Sequence, residues 1–220
     1  GDNMAVLEQD SPVQIHAPGF RNPYDVHLTE DGQLYSVDNG PNGGLGGPPT
    51  QACEAATQDS GTTYDDNLHY ISGEGYYAGH PNPVRGNSDY FANAVYDGYD
   101  GTGECEYLVP GQEDGALATF GASTNGLTEY TASNFGGAMQ GDLLLAMWNS
   151  GDVKRVELNA DGTEATASED IFENIGNNPL DVHAQGDEGP FPGTVWGATY
   201  GSNDVTVFEP NDYDGSVGET

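Results

Sequence analysis

The chain has 220 residues, with 36 Asp and Glu against 4 Lys and Arg, a formal net charge of -32 and a mean hydropathy of -0.59. Nucleic acid and anionic membranes are excluded as partners, because neutralising phosphate needs clustered cations that this chain does not have. No run approaches the ~20 apolar residues of a membrane helix, so membrane insertion is not expected, and any export signal has to lie upstream of Gly1.

Low hydropathy with high net charge usually means disorder, since such chains bury too little apolar surface to offset conformational entropy. The 13 Tyr, 7 Phe and 2 Trp argue for a packed core instead. A dense carboxylate surface with almost no Lys is the balance expected in concentrated salt, where the Debye length falls to ~3 Å at 1 M and self-repulsion is screened. The sequence therefore reads as that of a halophile, of archaeal type.

Helix periodicity is nearly absent, and short alternating or β-branched runs recur between Gly, Asn, Asp and Pro clusters. In chain order the predicted strands are 24–28, 33–37, 68–71, 116–120, 127–130, 142–147, 153–158, 169–172, 180–183, 194–199 and 205–208. Turn chemistry separates them at Glu30-Asp31-Gly32, Asn149-Ser150-Gly151-Asp152, Ala160-Asp161-Gly162 and Gly201-Ser202-Asn203-Asp204. The two cysteines, Cys53 and Cys105, lie in Gly/Asp/Thr-rich loops without zinc-site spacing. They either join those loops in a disulfide or are two small unpaired residues.

One segment is repeated. Asn22-Pro23-Tyr24-Asp25-Val26-His27 returns as Asn178-Pro179-Leu180-Asp181-Val182-His183, and each copy enters a predicted strand pair. Such copies mark equivalent inner strands of two sheet units. At ~40–50 residues per blade, three or four units fit between their starts, which suggests a β-propeller rather than a sandwich or jelly roll. On this reading residues 1–210 form a partial propeller of about four blades, and 211–220 form an acidic linker or tail.

Gly19-Phe20-Arg21-Asn22-Pro23, Glu30-Asp31-Gly32-Gln33-Leu34-Tyr35, Asp38-Asn39-Gly40-Pro41, Asp65-Asp66-Asn67-Leu68 and Tyr76-Tyr77-Ala78-Gly79-His80-Pro81 follow one another in a recognisable order. In that order the chain resembles the soluble quinoprotein glucose/sorbosone dehydrogenases, over about 20–81 and more loosely beyond. The resemblance implies an all-β fold, a six-bladed propeller here incomplete. It also implies sugar oxidation with pyrroloquinoline quinone (PQQ) and calcium, a sugar or other small-molecule ligand, and an extracellular, secreted location with further blades or domains in a longer polypeptide.

Residue by residue, the resemblance makes Arg21 and Asn22 quinone contacts, a guanidinium and an amide aimed at a carboxylate or carbonyl ligand. A structural role for Arg21, paired to a neighbouring carboxylate, is the alternative. Gly40 and Pro41 offer carbonyls, and Asp66 or Asn67 side-chain oxygen, in the hard-oxygen set that calcium favours. Asp66 is the charged member, since Asn67 stands where the family has its acid. His27 and His183 read as hydrogen-bonded strand residues, and Trp148 and Trp196 as blade core, with a mouth Trp able to stack on a sugar.

Two expected parts are missing. The family's general base lies well before its Arg-Asn-Pro, and His16 is in the wrong place to inherit that role. The later cations that neutralise the quinone's three carboxylates are replaced by Met147-Trp148-Asn149-Ser150 and Asn178-Pro179-Leu180-Asp181. The sequence thus leaves a quinone-dependent dehydrogenase, a calcium-bearing carbohydrate- or protein-binding propeller, and a purely structural piece all open. The charge balance makes a direct prediction: moving the chain from molar KCl to dilute buffer collapses its near-UV circular dichroism. A salt-indifferent unfolding transition refutes it.

Overall fold

The computed structural model describes residues 12, 13, 16, 17, 20–40, 65–74, 76, 78 and 116–212. Pro41, His80, Cys53 and Cys105 lie outside them. Among the described residues eleven strands form three antiparallel sheets, each a meander in sequence order. The first holds β1 (Pro23–Leu28), β2 (Leu34–Asp38), β3 (Asp66–Ile71) and β4 (Ala116–Phe120). The second holds β5 (Thr124–Tyr130), β6 (Asp142–Met147), β7 (Asp152–Leu158) and β8 (Ala165–Phe172). The third holds β9 (Pro179–Ala184), β10 (Val195–Thr199) and β11 (Asp204–Phe208).

All eleven predicted strands form, and both copies of the repeat are first strands, β1 and β9. Two strands begin three or more residues earlier than predicted. β8 opens at Ala165 because its first turn is an exposed outer edge with no apolar pattern to betray it. β5 opens at Thr124, since Gly126 and the polar residues around it hide a buried strand start. Dividing the length by a blade predicts about four units, three or four of them between the repeats. Three sheets are present among the described residues, and two of them span the interval. The first sheet spreads over 23–120 because long segments separate β2 from β3 and β3 from β4.

The apolar pattern stacks the sheets on one another. β6 is buried along its whole length, and successive residues point to opposite faces. Leu143, Leu145 and Met147 meet Tyr35, Val37, Leu68 and Phe120 of the first sheet. Leu144 and Ala146, with Val153, meet Val182, Ala184 and Val195 of the third. Each fully buried Leu contributes roughly 1.5–3 kcal/mol. The outer strands close the second contact through Phe172 and Phe208, whose rings stack at 3.9 Å.

The first strands lie side by side and run in the same direction. Leu127 N donates to Asp25 Oδ2 at 2.9 Å, and Glu129 N donates to His27 Nε2 at 3.3 Å, two residues further along both chains. Asn125 Nδ2 donates to the Pro179 carbonyl on the other side at 3.3 Å. Here β5 and β9 approach so closely that a Cβ on Gly126 would sit 2.7 Å from Val182 N and overlap the Asp181 backbone. Gly126→Ala is expected to lower stability in molar salt by about 1–3 kcal/mol through overpacking. The matched Gly121→Ala, which meets nothing within 4 Å, shifts the denaturant midpoint far less, and equal shifts refute the packing.

Candidate functional site

Because the first strands are parallel to one another, β1, β5 and β9 begin at the same end of the molecule where β2, β6 and β10 finish. Arg21, Asn22, Asp38, Asn39 and Gly40 therefore gather at that end with the start of β3. Asp38 accepts from Arg21 N at 3.1 Å and from Asn22 N at 2.6 Å. Arg21 Nη1 donates to the Asn39 carbonyl at 3.1 Å, and Asn22 Nδ2 donates to Asn39 Oδ1 at 3.0 Å.

Asp66 completes the cluster. It is buried and accepts from Gly40 N at 2.8 Å through Oδ1, and from Asn39 Nδ2 at 2.8 Å and Thr124 N at 2.5 Å through Oδ2. Both oxygens are thus committed to holding the β2 exit and the β5 entry. The neighbouring Asn67 Oδ1 is the reverse, buried with no hydrogen-bond partner. Of the two side chains proposed as oxygen ligands, the amide is the one with an available oxygen. No group of three His, Cys, Asp or Glu among the described residues is placed to hold a metal ion.

Burial raises the pKa of both carboxylates. Asp38 is pushed up to about 6 against the hydrogen bonds from Arg21 and Asn22, which lower it. Asp66 is raised for the same reason against donors from Thr124, Gly40 and Asn39. His69, which the sequence did not mark, is fully buried on β3 with Nδ1 at 2.8 Å from Tyr76 Oη. Desolvation lowers its pKa to about 4, so it is neutral.

A second feature lies at the same end, between the second and third sheets. A cleft of about 330 Å³ is lined by Trp148, Asn149, Ser150, Asn174, Asn177, Asn178 and intervening glycines. Trp148 stacks on the exposed ring of Tyr200 at 5.9 Å and 25°. The loop backbones are fixed: Tyr200 N donates to the Asn178 carbonyl, Gly201 N to that of Asn177 and Trp148 N to that of Ser123. Gly151 takes φ +84° to close the turn after Trp148, as Asn149-Ser150-Gly151-Asp152 predicts. Asn178 Nδ2 lies at 3.5 Å from the Trp148 carbonyl and bridges the two sheets. No lining residue is ionisable, in a chain with 36 acids. The sequence reads Trp148 as blade core, whereas it lines this cleft, and it gives no hint of Tyr200, which follows directly on β10.

No family model matches the chain, and no curated protein sequence is similar to it. Solved structures are. A glucose dehydrogenase crystal structure superposes with a TM-score of 0.53 at 20% identity, covering 88% of this chain and 45% of that one. The fold is that of an incomplete β-propeller. The PQQ-bound aldose sugar dehydrogenase of Streptomyces coelicolor matches with a TM-score of 0.51 at 15% identity, over 90% of this chain and 46% of its own. The soluble aldose sugar dehydrogenase of Escherichia coli, in its apo-form, matches at 0.52 and 19% identity, over 94% and 51%. This chain spans about half the length of each.

The described residues do not fit a quinone with three carboxylates. Arg21 is the sole described Lys or Arg at the mouth. Lys154 is bound to Asp170 at 2.6 Å, and Arg155 to Asp142 at 2.6 Å and to Glu157 and Glu169. A calcium ion fares no better, since the Asp66 carboxylate is consumed and hard-oxygen sites want six to eight ligands.

Asp38 carries the pH prediction for the cluster. Its folded pKa of about 6 lies above the ordinary 3.8, so its stabilising contribution is complete below pH 3.8 and is lost as pH rises through about 6. The stability difference between wild type and Asp38→Asn should fall by about 3 kcal/mol across that window. A flat difference in denaturant titrations refutes the assignment.

Proposed function

We propose that this chain is the ligand-recognising part of a sugar-handling β-propeller of the glucose/sorbosone dehydrogenase type, secreted and adapted to salt. Its own residues bind a neutral carbohydrate at the mouth between the second and third sheets and carry no redox step. The observation that supports this is the uncharged cleft. Sugars are recognised by amide and hydroxyl groups that match their own hydrogen-bonding pattern and by an aromatic face that packs on C–H bonds. The Asn residues and the Trp148–Tyr200 pair supply both.

Uncharged walls also fit the electrostatics. In a field of -32, an anionic ligand is repelled, and a cation finds no carboxylate in the cleft to pair with. A neutral polyol pays neither cost. Titration calorimetry of the full chain in molar KCl is expected to detect neutral aldoses or their oligomers. Trp148→Ala should weaken them about 10-fold, a loss of about 1.4 kcal/mol. Preference for acidic sugars over neutral ones overturns the reading.

A second reading, oxidation of the sugar with quinone and calcium in the intact ring, is favoured by the meeting of Arg21, Asn22, Gly40 and Asn67 in one cluster. It requires cations and a general base beyond the described residues. Dye reduction on adding quinone, calcium and an aldose supports this second reading over simple binding.

A further inference from the structure

One wall of the uncharged cleft is the segment 174–178, and its backbone bends as few residues allow. Asn174 takes φ +55°, Gly176 +141° and Asn178 +59°. Glycine and asparagine are the residues that tolerate such angles best, so the sequence of this wall suits its shape. Ile175 is the one buried residue of the five. Its side chain leaves the wall and enters the core cluster shared by the second and third sheets.

The seat of Ile175 is Gly197, in the middle of β10. A Cβ at 197 would lie 2.6 Å from Ile175 Cδ1, so only a glycine admits the side chain as it stands. Glycine weakens a strand interior and marks places where another group approaches closely. The main chain of Ile175 is held on both sides. Its N donates to the Gly151 carbonyl at 2.8 Å, and its carbonyl accepts from Oγ1 of Thr206, the residue opposite Gly197, at 3.1 Å. The flanks are tied in the same manner. Asn174 N donates to Asp152 Oδ1 at 2.9 Å and Asn177 N to Ser202 Oγ at 2.8 Å, while the Asn177 and Asn178 carbonyls accept from Gly201 N and Tyr200 N at 2.9 Å. The side-chain amides of Asn174 and Asn177 make no hydrogen bond among the described residues. The main chain of this segment thus fixes its shape, and the two amides stay available to the cleft they line.

We propose that Ile175 is the positioning residue of the cleft. Seated on Gly197, it holds the 174–178 wall, and with it the Asn174 and Asn177 amides, in ligand-ready form before a ligand arrives. The inference rests on the cleft being the neutral-carbohydrate site, and it adds what sets that site's geometry. Ile175 touches no ligand and acts through the asparagines beside it. Preorganisation raises affinity by removing the cost of ordering the wall on binding, so a loosened wall loses affinity although every lining side chain is still present.

Titration calorimetry of the full chain with glucose in molar KCl tests this, together with amide hydrogen exchange in the absence of sugar. Ile175→Ala is expected to weaken glucose about 10-fold and to speed exchange at the Tyr200 and Gly201 amides relative to those of β6. Val195→Ala removes a side chain from the same core cluster at the opposite end of β10, and should leave both readouts as in wild type despite its lower stability. Ile175→Val deletes only the methyl that lies over Gly197, and Gly197→Ala returns a methyl to that space. The double variant should therefore recover the affinity that Ile175→Val loses, and this recovery decides the question if Ile175→Ala does not fold. Equal losses of affinity in Ile175→Ala and Val195→Ala overturn the positioning role, as does a double variant no better than Ile175→Val. If the wild type binds no neutral sugar, the carbohydrate reading fails, and relative exchange at Tyr200 and Gly201 alone decides whether Ile175 sets the wall.

Discussion

The buried carboxylate of Asp66 is the constraint on which the mouth of the molecule depends. Taking an isolated carboxylate out of water costs several kcal/mol even after relaxation, so it stays ionised only where donors replace the lost water. Here two backbone N–H groups and the Asn39 amide replace part of that water, with the Arg21 charge close enough to help, while burial still leaves the Asp66 pKa raised. Those donors come from two separate stretches: Asn39 and Gly40 just after β2, and Thr124 at the entry of β5. A single side chain thereby locks the first sheet to the second and sets where Arg21 and Asn22 stand. The arrangement also explains why Asp66 is a poor metal ligand. A carboxylate that holds three donors has little left for a cation, and releasing it would unfasten the site it was meant to complete.

Charge is distributed by the same logic. Of four Lys and Arg, Lys154 and Arg155 sit on β7, and Arg155 alone faces Asp142, Glu157 and Glu169. Its pKa rises because those acids surround it, and Asp142 on the adjacent strand is held by it in turn. These cations serve to make the middle sheet tolerable in an acidic chain, and both are tied up in ion pairs. Among the described residues what remains at the mouth is Arg21 and a cleft with no charge, which is the physical ground for preferring a neutral ligand over an anionic cofactor.

Much of this was legible in the residues. β-Branched runs between turn clusters located the eleven described strands, because most of them have one face in a core and the alternation records it. The Asp38-Asn39-Gly40 segment and the pair Arg21-Asn22 meet because both flank one hairpin. Other features were not legible. The preference for Asp66 over Asn67 as a ligand followed from formal charge, whereas the outcome depends on which oxygen the backbone of a distant strand occupies. Thr124 gives no sign in one dimension that its N–H will meet Asp66. Tyr200 stacks on Trp148 beside the cleft only because β10 ends next to the exit of β6.

The repeat itself skips a strand for a physical reason. β5 is the inner strand between β1 and β9, yet at the position of Asp25 and Asp181 it carries Gly126. The backbones converge there, and any Cβ on β5 meets the main chain of Asp181. A third carboxylate at this level would also stand between two others that already feel each other, since Asp25 contributes to the raised pKa of Asp181. Glycine removes both the clash and the charge, and it leaves Leu127 N bare for Asp25 to take. Sterics and like-charge repulsion at the axis therefore favour a motif that alternates. An echo in the sequence between 22 and 178 with nothing matching at 123 is the pattern that such an alternation leaves behind.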